Sequence, residues 1–370
     1  MIYVGGGALA GHAATALTAL AERLDALIVT SENGGGVVSD RHPLVVNTLA
    51  GRALLEHADV VLVVGSRFVG STGGAAWPLD RARYIHINLD PSVFTAPRRA
   101  DVAIEADAAA GVAALAAATR QRSAGMAQRL GAVRAWAQAQ IDCIEPQASW
   151  LRAIRSALPD DGFLVNELTQ IGYLARVAFP VYLPNTFVTA GYQETLGAGF
   201  PTALGIATAH PGRAVVSING DGGFGYNMQE LATARKYGLN VAIVIFNDGH
   251  FGNVRALQKL QFGADYGADL LNPDFAALAA AFGVPHAVAK SPADLEALLR
   301  SSFGAKGPAV IEVALGDVPS PWHLLRLQKP PFAKPPKPVP ANPLGEPQPL
   351  SRWSQAAGAL KTGRSEGAIA

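Results

Sequence analysis

The sequence predicts an α/β protein: two doubly wound, mostly parallel-sheet domains followed by a disordered Pro-rich tail. Three observations carry this. Short apolar runs alternate with Ala-rich stretches of helical composition, the order that builds a parallel sheet with helices on both faces. Runs such as Val241-Ala-Ile-Val-Ile-Phe246 are apolar throughout, as strands covered on both faces require. From about Gln328 the composition turns to Lys-Pro-Pro-Phe-Ala-Lys-Pro-Pro-Lys-Pro. Proline fixes φ and removes donors, so neither helix nor sheet is expected there.

In the first domain, residues 1–120, strands are expected at Ile2–Val4, Ala26–Thr30, Val60–Val64 and Tyr84–Leu89, with a helix from about Gly11 to Leu24. Residues 107–145 are rich in good helix formers, and residues 121–149 read as a helical linker. The second domain, 150–327, has expected strands at Phe163–Asn166, Phe187–Ala190, Ala214–Asn219, Val241–Asn247 and Ala309–Val313. Its helices are expected at Thr195–Ala209, Met228–Tyr237, Asp274–Phe282 and Pro292–Phe303. Pro273 and Pro292 suit first-turn positions, where the missing N–H is harmless. The tail covers 328–370.

Bulk properties narrow the function. Among 370 residues, 49% are hydrophobic and 16% charged, which suits large buried sheets rather than a disordered chain. The net charge is +1 with no long basic run, so no nucleic-acid partner is expected. Cys143 is the single cysteine, so no internal disulfide is possible, and a cytoplasmic setting is the default. No apolar run reaches the roughly 20 residues that span a bilayer, so no membrane partner is expected. Met1-Ile2-Tyr3-Val4 and the following glycines lack the form of a signal peptide. They read as a strand entering a tight turn, as if the chain began in the middle of a fold.

The stretch that carries chemistry runs from Asn219-Gly220-Asp221-Gly222-Gly223 to Asn247-Asp248-Gly249-His250-Phe251-Gly252. One apolar strand ends in Gly-Asp-Gly and the next in Asn-Asp, so both acids emerge at the C-terminal edge of the sheet, where ligands bind in open α/β folds. Glycines let a backbone approach a phosphate closely, and a helix N-terminus expected near Tyr226 to Met228 would add partial positive charge. Asp221 and Asp248 are hard oxygen donors suited to Mg²⁺, which prefers one or two carboxylates plus phosphate oxygens.

With its acids 27 positions apart, this segment resembles the diphosphate-binding motif of thiamine-diphosphate (ThDP) enzymes of the acetolactate-synthase/2-oxoacid-decarboxylase type. The resemblance covers nearly the whole folded part. Thr195-Leu196-Gly197-Ala198-Gly199-Phe200-Pro201 is similar to the family segment that holds the cofactor in its V shape. It implies Leu196 as the apolar wedge under the rings and the Glu194 carbonyl as acceptor from the aminopyrimidine. Leu168, Thr169 and Gln170 sit where the family contacts the diphosphate from a second loop. Gly220, Asp221, Gly222, Gly223, Asp248, His250, Phe251 and Gly252 complete the implied cofactor site. Asp221, Asp248 and the His250 carbonyl are its implied metal ligands. Residues 1–120 look like the family's central domain through Val60-Val-Leu-Val-Val-Gly65-Ser66-Arg67 and Ile85-His86-Ile87-Asn88-Leu89-Asp90-Pro91.

Two departures stand out. Asp248 occupies a position where many relatives carry Asn, which adds attraction for the metal and repulsion toward the diphosphate. The family's pyrimidine-binding domain, with the glutamate that activates the cofactor by acid–base chemistry, is expected to be missing from this sequence. Glu32, Glu167 and Glu194 do not match its position, so no catalytic residue is assigned in this chain. The resemblance therefore implies a ThDP- and Mg²⁺-holding portion of an enzyme acting on a small 2-oxo acid, completed in a homo-oligomer or by a separate pyrimidine-domain subunit. The alternative is a non-catalytic ThDP-binding module or remnant.

Lesser readings concern isolated residues. Gly5, Gly7 and Gly11 match a dinucleotide loop imperfectly; a tight strand-to-helix turn is the simpler reading, with FAD or nucleotide binding the lesser one. The remaining histidines lack metal-ligand spacing. Substrate-facing residues are expected around Phe251–Leu260 and Pro319–Leu327, with Trp322 and His323 near the site.

Overall fold

A computed structural model describes residues 1–69, 82–96, 98–191, 195–325 and 335–346. The first sheet has six strands: β1 (Ile2–Val4), β2 (Ile28–Thr30), β3 (Val45–Val46), β4 (Val60–Val64), β5 (Arg83–Asn88) and β6 (Val102–Glu105). The second has β7 (Phe163–Asn166), β8 (Phe187–Thr189), β9 (Val215–Gly220), β10 (Ala242–Asn247), β11 (His286–Val288) and β12 (Ala309–Ala314). Both sheets are parallel throughout, as the βα alternation predicts. Their orders are β3-β2-β1-β4-β5-β6 and β11-β12-β10-β9-β7-β8.

Apolar strands drive this arrangement. Ile243, Val244 and Ile245 of β10 lose all solvent contact. Each such side chain contributes about 1.5–3 kcal/mol of burial free energy. Helices Met126–Ile141, Gln147–Ala157 and Gln170–Ala178 share one apolar core with both sheets. Leu130, Val133 and Ala137 recur at helical spacing on the buried face of Met126–Ile141, so the expected linker helix is also a packed wall.

The halves are joined by polar contacts. Asp40 donates its backbone N–H to the Val181 carbonyl (3.0 Å) and accepts the Val181 N–H on Oδ2 (2.7 Å). The Arg52 guanidinium donates to the carbonyls of Leu324 (2.6 Å) and Leu325 (2.5 Å), and burial lowers its pKa to about 10.

Local differences from expectation have physical causes. The Gly5-Gly6-Gly7 segment enters a short helix, Gly6–Ala10, with a second helix at Ala14–Leu24. The Gly5 N–H donates to Val64 and the Gly7 N–H to the Gly65 carbonyl. A Cβ on Gly5 would lie 2.5 Å from that Gly65 oxygen, so the turn is tight in the sense expected. The helix expected at Thr195–Ala209 starts only at Gly199, because Gly197 takes φ +81°. Tail residues 335–346 form no helix or strand, as their prolines predict. The Trp136 indole donates to the Pro340 carbonyl (3.0 Å), and Leu344 rests against the core. No helix among the described residues is long and apolar enough to cross a membrane.

Candidate functional site

In the second sheet the chain runs outward from β7 to β8, then returns to place β9 on the other side of β7. Crossovers diverge at such a switch point and leave a crevice at the C-terminal strand ends. A cavity of about 210 Å³ lies there. Its walls include Leu168, Thr169 and Gln170 after β7, Gly220 to Gly223 after β9, and Asp248, His250, Phe251 and Gly252 after β10, with Leu196 from a separate loop. Every implied site residue thus lines one space except Glu194, which lies outside the described residues.

Each wall is built by local rules. Thr169 caps the helix Gln170–Ala178, its hydroxyl accepting the Gly172 N–H (2.9 Å). Beyond β9 the chain turns at once into a single helical turn, Asp221–Phe224. The N–H groups of that turn therefore start at Asp221, earlier than the N-terminus expected near Tyr226 to Met228. A helical start is found near Met228 as expected, in the 3₁₀ turn Met228–Glu230 leading into Leu231–Tyr237, but it lies downstream of the Gly-Asp-Gly turn and does not line the cavity. Gly222 cannot carry a side chain, since a Cβ would meet the Phe251 ring at 2.6 Å. After β10, Gly249 takes φ +70°. The segment is pinned by Phe251 N–H to the Ala268 carbonyl (2.8 Å) and Leu270 N–H to the Gly249 carbonyl (2.9 Å).

The two acids are held differently. Asp221 is 2% exposed; its Oδ2 accepts from the Gly249 N–H (2.9 Å) and the Asn272 amide (2.6 Å). Asp248 Oδ1 accepts the His250 N–H (3.1 Å). Burial first, and then the negative charge of Asp221, push the Asp248 carboxyl up to about 6. A pair of desolvated acids with this mutual repulsion is stabilised by a cation, and the donor set is hard oxygen. Among the described residues, no three His, Cys, Asp or Glu side chains converge as a metal cluster. Further ligands would therefore come from backbone carbonyls and from the bound molecule itself. The His250 imidazole is committed elsewhere, with Nδ1 against the Asp248 carbonyl (2.5 Å) and Nε2 against Asp269 (3.1 Å).

Sequence inspection missed several contributors. Asn272 bridges Asp221 and Asn247 (3.1 Å) from a loop 51 residues beyond Asp221, with no motif to announce it. Tyr173, also missed, lines the cavity beside Asn253, which falls in the segment expected to face the substrate. Trp322, expected near the site, backs both, its ring centroid 4.7 Å from that of Tyr173 and its indole donating to Asn253 (2.8 Å). His323 is buried beside it without lining the cavity. Glu167, set aside as an activating glutamate, is buried in the wall itself.

Comparison with known proteins gives concordant matches. Residues 1–115 match the thiamine pyrophosphate enzyme central domain, and residues 169–313 match the thiamine pyrophosphate enzyme C-terminal TPP binding domain. The chain is 30% identical over 339 residues to a probable acetolactate synthase large subunit of Methanocaldococcus jannaschii, covering 85% of this chain and 57% of that protein. It is 32% identical over 332 residues to a probable 2-ketoarginine decarboxylase of Pseudomonas aeruginosa, again covering 85% and 57%. Against the acetolactate synthase isozyme 2 large subunit of Escherichia coli it is 28% identical over 350 residues, covering 88% and 61%. The chain thus spans a little over half the length of these relatives.

Proposed function

Because the chain belongs to the thiamine pyrophosphate enzyme family, we propose that it is the ThDP- and Mg²⁺-holding portion of a 2-oxo acid decarboxylase or carboligase. The observation that carries this is the convergence of Asp221 and Asp248 with the Gly220–Gly223 turn in one switch-point cavity. In this reading Asp221, Asp248 and the His250 carbonyl hold Mg²⁺. N–H groups of the Gly-Asp-Gly turn and the Leu168-Thr169-Gln170 segment hold the diphosphate, whose charge the start of a helical turn favours. Leu196 supports the rings, with Phe251 and Gly252 closing the wall and the Glu194 carbonyl as the proposed pyrimidine acceptor. When bound, the cofactor supplies the carbanion-stabilising chemistry.

The cavity, at about 210 Å³, is smaller than the roughly 300–1,000 Å³ that encloses a drug-sized ligand. That supports a second surface completing the site, carried by a neighbouring copy or a separate pyrimidine-binding subunit that brings the activating glutamate. The substrate would be a small 2-oxo acid in the cytoplasm.

Calorimetric titration with ThDP, with and without Mg²⁺, tests the assignment. Binding that requires Mg²⁺ and falls by about 100-fold or more in Asp221→Ala is expected, since a buried charge partner is lost. Binding indifferent to both Mg²⁺ and that substitution refutes it.

A further inference from the structure

Glu167 follows β7 and is 1% exposed. Its carboxylate accepts the Gly197 N–H on Oε1 (2.7 Å) and the Gly199 N–H on Oε2 (3.0 Å). No basic side chain pairs with it among the described residues. A Cβ on Gly223 would fall 1.9 Å from Oε1, and one on Gly199 would fall 2.6 Å from Oε2. One carboxylate therefore fills the space between three segments: the Leu168–Gln170 wall, the Leu196 loop and the Gly-Asp-Gly turn. Burial raises its pKa, while the two N–H donors pull it down. A buried charge without a cation is costly, and a neutral residue would fill the same volume more cheaply. Its two bonds bracket Ala198 and anchor the left-handed Gly197 that directly follows Leu196.

We infer that Glu167 is a positioning residue that sets Leu196 at its height above the Asp221 turn, and so governs retention of the cofactor's rings rather than its diphosphate. This rests on the cofactor reading above. Glu167→Gln keeps the volume but can accept only one of the two N–H groups, turning an amide NH₂ toward the other.

The experiment titrates the full chain with two probes in the presence of Mg²⁺: ThDP and inorganic diphosphate. In Glu167→Gln the Kd for ThDP is expected to rise at least about tenfold, while that for diphosphate changes less than about twofold. Leu196→Ala should weaken ThDP in the wild type but cost little more in the Glu167→Gln background, because both act through one contact. Equal weakening of both probes, weakening of neither, or additive losses overturn the proposal. Wild-type protein that binds neither probe refutes the cofactor reading itself and this proposal with it. A measurement needing no variant is amide hydrogen exchange: Gly197 and Gly199 should exchange slowly in the free chain, and rapid exchange at both overturns the role.

Discussion

Replacing Asp40 by Asn should change the pH dependence of stability in a calculable way. Asp40 bonds reciprocally with Val181 across the two halves, and burial raises its carboxyl from 3.8 to about 6. The folded state therefore binds the proton more tightly than the unfolded chain. Its stabilising contribution is fully present below about pH 4 and is lost as pH rises through about 6. A rise of about two units is worth about 3 kcal/mol, and about 2 kcal/mol after allowance for the solvent contact Asp40 keeps. Asn presents the same acceptor to the Val181 N–H and carries no charge. Unfolding entropy for a chain of this length is roughly 0.7 kcal/mol per kelvin, so the shift is about 3–4 °C in Tm. Thermal unfolding of both proteins at intervals from pH 4 to 8 is the assay. The curves should meet near pH 4, diverge between about pH 4 and 6 and run parallel above that, with the Asn variant more stable. A constant offset across the range, or a less stable variant at pH 7, refutes the reasoning.

Other expectations concern the site. Asn272→Ala removes the 2.6 Å bond that orients Asp221 and should weaken Mg²⁺-dependent ThDP binding by about tenfold, while leaving the Tm within about 2 °C. Undiminished affinity in a calorimetric titration would show that Asp221 needs no such support. Gly223→Ala drives a methyl into the Glu167 carboxylate, and urea unfolding should show a loss of about 2 kcal/mol or more. A neutral result would place that carboxylate elsewhere in solution.

Central strands were legible because their own composition buries them. Phe163–Asn166 and the run ending at Asn247 are apolar enough to need no partner for recognition. Strands β3, β6 and β11 escaped notice for the opposite reason. They have two to four residues, β6 is largely exposed, and each becomes a strand only by pairing at a sheet edge or beside one. The helix Gly252–Phe262 has no buried residue, so its apolar spacing points to no core that sequence inspection could detect. Within the site, Asp221 and Asp248 were legible because the motif encodes them on adjacent strand ends. Asn272 and Glu167 were not, because their roles arise from distances between loops far apart in sequence.

The three glycines around Glu167 have a meaning for how such chains can diverge. Residue 167 and residue 223 share one small volume, so neither can grow while the other stays large. Shortening position 167 to Asp would draw the carboxylate back by one methylene and open room for a methyl at 223. Across diverging sequences the sizes at these two positions should vary inversely, and a substitution harmful alone should become tolerable once its partner has changed. Asp at 167 introduced together with Ala at 223 is the pair that would make such a step passable.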